Sequence, residues 1–512
     1  MPPQARRGIV RRAWRVGDWR VGRSAAGEGI AWAIIIGLVA FIAGMNFIHA
    51  YFPSSDRPRL TAGEADNLQL RMITRYFVGS NDMFRGALPE DALLDNYKPF
   101  LDGDASEFDR IRSIMAIGEL IGAERALDEL DRMEMDAAAR AEEHAAGLAG
   151  EGDATAGDAG AEDGPGATYS PYDDPETPGD IALLRAVYTG GGGGVLTDAQ
   201  RDELIKRHGW FGKLAASFGQ EKTEPLRAEI MGNAYRTVAV FFTAIAVVGS
   251  AMLAGVVLFV VAIILIGKGK IRFALREDLA RVRDQRAWPY VGVMAGFLVL
   301  FFAISLGVGS LPASLGESLM PFAIWLALGA ALFPMMVGVP FGDLRRTLGW
   351  HSGKGILREM GAGVVGYITL LPVAGVGVLI VLVLTVIGGL YGLEPQGHPA
   401  ADKISADPGV AIPLYILACI WAPVVEETMF RGGFYRYLRG THWLAYPIVA
   451  GLVQGFFFAV IHPQGILAVP ALMALGFNFA MIREWRGSLI GSMTAHALNN
   501  GFVFTMLLFA IG

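Results

Sequence analysis

Apolar runs at about 30–52, 237–266, 289–310, 319–341, 361–391, 411–430, 443–462, 466–482 and 488–511 dominate this chain. About 20 apolar residues carry a helix across the hydrocarbon of a bilayer, where a spanning segment has to satisfy its own backbone polar groups. The expected fold class is therefore all-α: a polytopic membrane helix bundle of about nine spans, with a largely helical, partly disordered extramembrane insertion. A hydrophobic content of 53% over 512 residues excludes an ordinary soluble enzyme. The single cysteine, Cys419, excludes an intrachain disulfide and a thiolate metal cluster.

Charge sets the expected topology. Seven arginines (Arg6, Arg7, Arg11, Arg12, Arg15, Arg20, Arg23) precede the first run, so 1–29 reads as a basic cytoplasmic arm and 30–52 as an uncleaved signal-anchor helix. With the N-terminus inside, the expected inner loops carry seven (267–288), four (342–360), three (431–442) and two (483–487) basic residues. The short outer loops carry none, apart from Lys403. That alternation puts 53–236 and the C-terminus outside the cytoplasm, in a multi-pass protein of a bacterial-type cell membrane. The net charge of −6 averages unlike regions; the bilayer is an expected partner, a nucleic acid is not, and the oligomeric state is left open.

The insertion 53–236 reads in parts. Helical spacing of apolar residues up to about Met135 predicts short helices, whereas about 136–180, rich in Ala, Gly, Asp, Glu and Pro, is expected to be disordered. Gly190–Gly194 read as a flexible hinge, because no Gly-Lys-Ser/Thr follows. An amphipathic helix is expected over 199–218, with His208 at its surface. The remaining domains are 237–360, accessory spans, and 361–512, the core.

Ionisable groups inside apolar spans are costly, about 3 kcal/mol or more each, and point to function. Glu426 and Glu427 adjoin in the run that starts near Ile412; Glu427 and Arg431, four apart, form an ion pair on one helix face and leave Glu426 without a local partner. A carboxylate held in such a place suits general acid–base work. His462 follows Phe458 by four residues, and His496 precedes Asn500 by four, so that His496 and Asn500 share a face. A base, two imidazoles and an amide donor are the groups that water-driven peptide hydrolysis requires. One difficulty is depth: counted from residue 440 along straight helices, Glu426 lies about 21 Å away and His462 about 33 Å.

Glu-Glu-x-x-x-Arg at 426–431, Phe-x-x-x-His at 458–462 and His-x-x-x-Asn at 496–500 occur in the order found in the CAAX prenyl protease and bacteriocin-processing family of intramembrane endopeptidases, which the chain resembles over roughly 340–512. The resemblance implies a membrane-embedded peptide hydrolase acting on a membrane-associated protein or peptide, in some relatives at prenylated CAAX ends. By position, Glu426 would activate water with help from His462, and His496 and Asn500 would stabilise the oxyanion. Glu427 would complete the catalytic set, with Arg431 and Phe458 as structural support. In the metalloprotease version of the family's chemistry His462 and His496, with Glu426, would hold Zn2+. The residues leave the glutamate-dependent and metal-dependent versions open, since there is no His-Glu-x-x-His. Two other classes share these features: a non-proteolytic scaffold or immunity protein of the same fold, and a proton-coupled transporter, for which no internal repeat is seen.

Overall fold

The computed structural model describes residues 25–51, 68–84, 86, 88–101, 105–150, 172, 174–275, 287–391, 399–406, 408–441 and 444–511. The basic arm up to residue 24, the middle of the expected disordered stretch (151–171) and four arginines of the 267–288 loop lie outside these residues. The described elements are helical. In order they are α1 (Ala25–Tyr51), α2 (Leu68–Met83), α3 (Glu90–Leu101), α4 (Glu107–Leu120), α5 (Ala123–Gly150), α6 (Thr177–Thr189), α7 (Asp198–His208), α8 (Trp210–Ala216) and α9 (Pro225–Gly267), then α10 (Trp288–Gly309), α11 (Ser318–Met336), α12 (Phe341–Leu348), α13 (Ile356–Gly389), α14 (Pro399–Ala406), α15 (Ala411–Arg439), α16 (Pro447–Val460), α17 (Val469–Arg486) and α18 (Ile490–Ile511). Among the described residues, eight helices or composite helices are long and apolar enough to cross a membrane, and α16 is a shorter apolar helix in place of a ninth full span. This is an integral, multi-pass membrane protein.

The chain divides into two compact units. The first comprises 1–54, 251–400 and 410–504. Its core is lined by Val291, Met294 and Leu298 of α10, Val425, Phe430 and Phe434 of α15 and Phe458 of α16. Helices α16 and α17 approach until a Cβ on Gly476 would stand 2.8 Å from the Gly455 Cα, the small-residue contact by which membrane helices associate when water supplies no driving force between them.

Two departures from expectation bring the polar residues of this unit to one level. Helix α15 does not stop at residue 430 but runs to Arg439, and α16 begins only at Pro447, 14 residues long. Glu426 then lies about 20 Å before the end of α15 and His462 about 22 Å past the start of α16, so the depth mismatch closes. Arg439, Arg483 and Arg486 are also not loop charges. Arg439 binds Glu484 at 2.7 Å and Arg486 binds Glu359 at 2.7 Å, with both carboxylates buried, and Arg483 donates to Thr347 O at 3.1 Å. Protein partners, rather than an aqueous loop, satisfy these cations.

The second unit comprises 55–250, 401–409 and 505–512, with a core that includes Leu70, Tyr97, Ile114, Leu184 and Phe211. Alanine and glutamate continue α5 as far as Gly150, well into the stretch expected to be disordered, because both are strong helix formers. Gly190–Gly194 are no hinge: Gly193 N donates to Phe218 O at 2.8 Å, and a Cβ there would meet Ala216 O at 1.9 Å. The glycines allow two backbones to touch. The expected 199–218 helix is two, α7 with a Thr197–Gln200 capping box and α8, broken at Gly209 with φ +56°.

His208 is not at the surface. It is 1% exposed, its Nε2 lies 3.0 Å from Asp180 Oδ2, and Arg207 bonds Asp180 and Asp174 beside it. Burial holds the imidazole below its ordinary value of 6.5, aided by Arg112 and Arg207 and opposed by Asp180. Burial raises the Asp180 carboxyl, but His208 and Arg207 outweigh it and hold the group low. Both folded-state values are depressed, so the unfolded chain takes up more protons on acidification and stability falls with pH, beginning below about 6.5 for His208. The protection of the α7 amides, relative to their intrinsic exchange rate at each pH, is expected to fall between about pH 7 and 5, and His208→Gln is expected to flatten that dependence. An unchanged slope in the variant would contradict the assignment.

Candidate active site

Helix α15 contains two wide π-type turns, Leu417–Trp421 and Glu427–Phe434, on either side of Pro423 and Glu426. Such turns take backbone groups out of the regular ladder and are frequent at functional sites. Ala418 O accepts a hydrogen bond from Asn500 Nδ2 of α18 at 2.9 Å.

Glu427 and Arg431 are fully buried and 2.9 Å apart, the ion pair expected from their spacing. Arg431 Nη2 also donates to Gly476 O of α17 at 3.1 Å, and its guanidinium lies 4.5 Å from the Phe458 ring centroid and 5.1 Å from that of Phe479. Glu427 Oε1 in turn receives His496 Nδ1 at 3.0 Å. One carboxylate thus ties α15 to α18, and one guanidinium ties α15 to α17. Phe479 stacks on the His496 ring at 4.9 Å and 19°.

Glu426 is only 16% exposed at its side chain, and its Oε2 makes no hydrogen bond among the described residues. Two imidazole nitrogens face it: His462 Nε2 at 3.8 Å and His496 Nε2 at 3.9 Å. The tautomers follow from the opposite sides of the rings. His462 Nδ1 points at the Phe458 carbonyl, which only accepts, and His496 Nδ1 points at the Glu427 carboxylate. In the neutral rings both protons therefore sit on Nδ1, and both Nε2 atoms present lone pairs toward Glu426. Separations of 3.8 and 3.9 Å are too long for direct hydrogen bonds. They leave room for one water at about 2.8 Å from Oε2 and from an imidazole. Such a water would donate both hydrogens and keep an oxygen lone pair for a nucleophilic role.

The structure thus brings Glu426, Glu427, Arg431, Phe458, His462 and His496 together. Asn500 is one turn beyond His496, held by Ala418 O and by Asn499 Nδ2 at 3.2 Å, which leaves one of its two amide hydrogens uncommitted. The two imidazole nitrogens lie 3.8 and 3.9 Å from Glu426 Oε2, farther than neighbouring ligands of a tetrahedral zinc, about 3.3 Å for bonds near 2.0 Å. No group of three His, Cys, Asp or Glu side chains among the described residues has metal-holding geometry.

Several supporting residues are not legible in the motifs. Asn46 of α1 donates to His462 O at 3.0 Å, and Trp32 packs against Phe434 and Phe457 while donating to Tyr437 OH at 2.9 Å. The first helix, read as an anchor, therefore braces the loop that carries His462. Trp350 Nε1 donates to Thr428 Oγ1 at 3.1 Å behind the glutamates. Phe479 and Gly476 sit in a stretch whose only sequence signal was its hydrophobicity.

An all-helical membrane bundle thus gathers the buried Glu427, the partly buried Glu426, two facing imidazoles and a clamping arginine. Residues 408–502 match the family model described as type II CAAX prenyl endopeptidase Rce1-like, so this stretch of the chain is similar to that family. The matched segment lies inside the wider 340–512 region that the motif resemblance suggested. No curated protein and no solved structure matches the chain.

Removing one partner of a buried ion pair leaves an uncompensated charge and typically costs about 3–5 kcal/mol. Arg431→Met is expected to lower the thermal unfolding midpoint accordingly, and adding Glu427→Gln to that variant should restore part of the loss. If the double variant were no more stable than Arg431→Met, the pair would not be the tie described here.

Proposed function

We propose that the protein is an intramembrane endopeptidase that hydrolyses a peptide bond of a membrane-associated protein or peptide, with Glu426 as the base that activates water. The observation that carries this reading is the approach of His462 Nε2 and His496 Nε2 to one unpartnered oxygen of Glu426. In the ground state the water donates to Glu426 and to an imidazole. Its oxygen attacks the substrate carbonyl carbon as its proton passes to Glu426, and the C=O π electrons move to oxygen. The uncommitted amide hydrogen of Asn500 is the donor available to that oxyanion. Glu426 then returns the proton to the departing amine as the C–N bond breaks, which balances the hydrolysis. Glu427 holds the His496 tautomer and orientation, and Arg431 holds Glu427.

Zn2+ is the alternative means of activating water, with His462, His496 and Glu426 as its ligands, and needs those side chains to draw closer than the spacing seen. Metal content of the purified protein, measured beside activity with and without chelator, separates the two. Family-level similarity supports CAAX-type processing as the reaction class. The expected topology places the N-terminus in the cytoplasm and the C-terminus outside it, and we propose that the second unit presents or selects substrate.

Purified full-length protein is expected to cleave a membrane-associated reporter. Glu426→Gln, His462→Ala and His496→Ala should each lower the rate by at least about 100-fold, the usual scale for loss of a general base or its partner, with expression unchanged. Full activity in all three would sink the assignment, and a Glu426→Gln protein that still complements a deletion would favour a non-proteolytic scaffold.

A further inference from the structure

The proposed oxyanion donor, Asn500, is held by a directed chain of hydrogen bonds that the motifs do not show. It starts at a backbone carbonyl. In the π turn Leu417–Trp421 the Ala422 N–H donates to Leu417 O, and in that register the next donor, due to Ala418 O, falls on Pro423, which has no N–H. Ala418 O is thereby open to a side chain, and Asn500 Nδ2 donates to it at 2.9 Å. A carbonyl only accepts, so the Asn500 amide must face α15 with its nitrogen and turn its oxygen the other way. The group that meets that oxygen must then be a donor, and it is Asn499 Nδ2 at 3.2 Å. Asn499 in turn presents its own oxygen to Tyr367 of α13, whose hydroxyl donates at 3.2 Å. One acceptor on α15 thus sets the polarity of all three side chains.

Packing fixes the far end of the chain. A Cβ on Gly363, one turn before Tyr367, would stand 2.3 Å from Gly491 O, so α13 lies directly against α18 at that level. The Tyr367 ring packs against the cluster of Phe479, Ile482 and Ala495, and Asn478 of α17 donates to Leu370 O at 2.8 Å on the next turn of α13. The Asn500 side chain has two rotatable bonds, and an amide turned through 180° would present oxygen rather than N–H to a developing oxyanion. With its oxygen bound by Asn499 and one hydrogen by Ala418 O, the amide has a single orientation, and its second hydrogen is left over. A donor fixed in advance stabilises a transition state without reorganising when the charge develops.

We propose that Tyr367 and Asn499 are positioning residues for the reaction, holding the Asn500 amide so that its second N–H is ready for the oxyanion. The inference rests on the protease reading, with Asn500 as its oxyanion donor. Steady-state cleavage of the membrane-associated reporter by the purified full chain tests it. An oxyanion donor acts in the transition state, so Asn500→Ala is expected to lower kcat by about 100-fold and Tyr367→Phe, which removes only a hydroxyl, by about tenfold, each with KM nearly unchanged. Asn499→Ala should lower kcat in the same way. Because both residues act through Asn500, neither substitution should cause a further fall in the Asn500→Ala background, where a merely structural loss would add to the first. A tenfold fall that persists in that background would overturn the inference and leave the protease reading standing, as would full kcat in Tyr367→Phe beside an inactive Glu426→Gln. Full activity in Glu426→Gln would bring down both.

Discussion

The site depends on one buried carboxylate. Glu427, with no solvent to stabilise its charge, is bound at the same oxygen by Arg431 on its own helix and by His496 on the last one. A charge buried this deeply is tolerable only when its partners are fixed in place. That requirement draws α15, α17 and α18 into one arrangement, since Arg431 also reaches the Gly476 carbonyl. The arrangement in turn sets the tautomer of His496, and so decides that a lone pair rather than a proton faces Glu426. Two adjacent glutamates thereby differ: Glu427 is bound on both sides, and Glu426 keeps an oxygen with no hydrogen bond among the described residues.

The same logic appears at the ends of the helices. Cations that a charge count assigns to loops are bound to buried carboxylates, Arg439 to Glu484 and Arg486 to Glu359, so that a second polar layer fixes the register of the bundle. Small residues do the complementary work along the helices, letting α16 and α17 close at Gly455 and Gly476.

How much of this could be read from sequence depends on the range of the interaction. The spans were legible because hydrophobic length is a local property, and the Glu427–Arg431 pair because helical spacing is local too. His462 and His496 could be nominated as costly intramembrane groups, yet nothing in the sequence measures the distance between helices. The depth mismatch between Glu426 and His462 came from counting His462 from residue 440, whereas α16 begins only at Pro447. His208 was misplaced for a similar reason: its neighbours on α7 are polar, and only the distant Asp180 explains its burial. Phe479, Asn46 and Trp32 carry no signal beyond hydrophobicity or amide chemistry, because their roles exist only once the helices meet.

The most direct test of this account is an experimental density map of the purified protein at a resolution that shows single waters. The account predicts one isolated peak at about 2.8 Å from Glu426 Oε2 and from at least one of the His462 and His496 Nε2 atoms. Side chains of Glu426, His462 and His496 turned away from one another, toward lipid or into separate cavities, would contradict it.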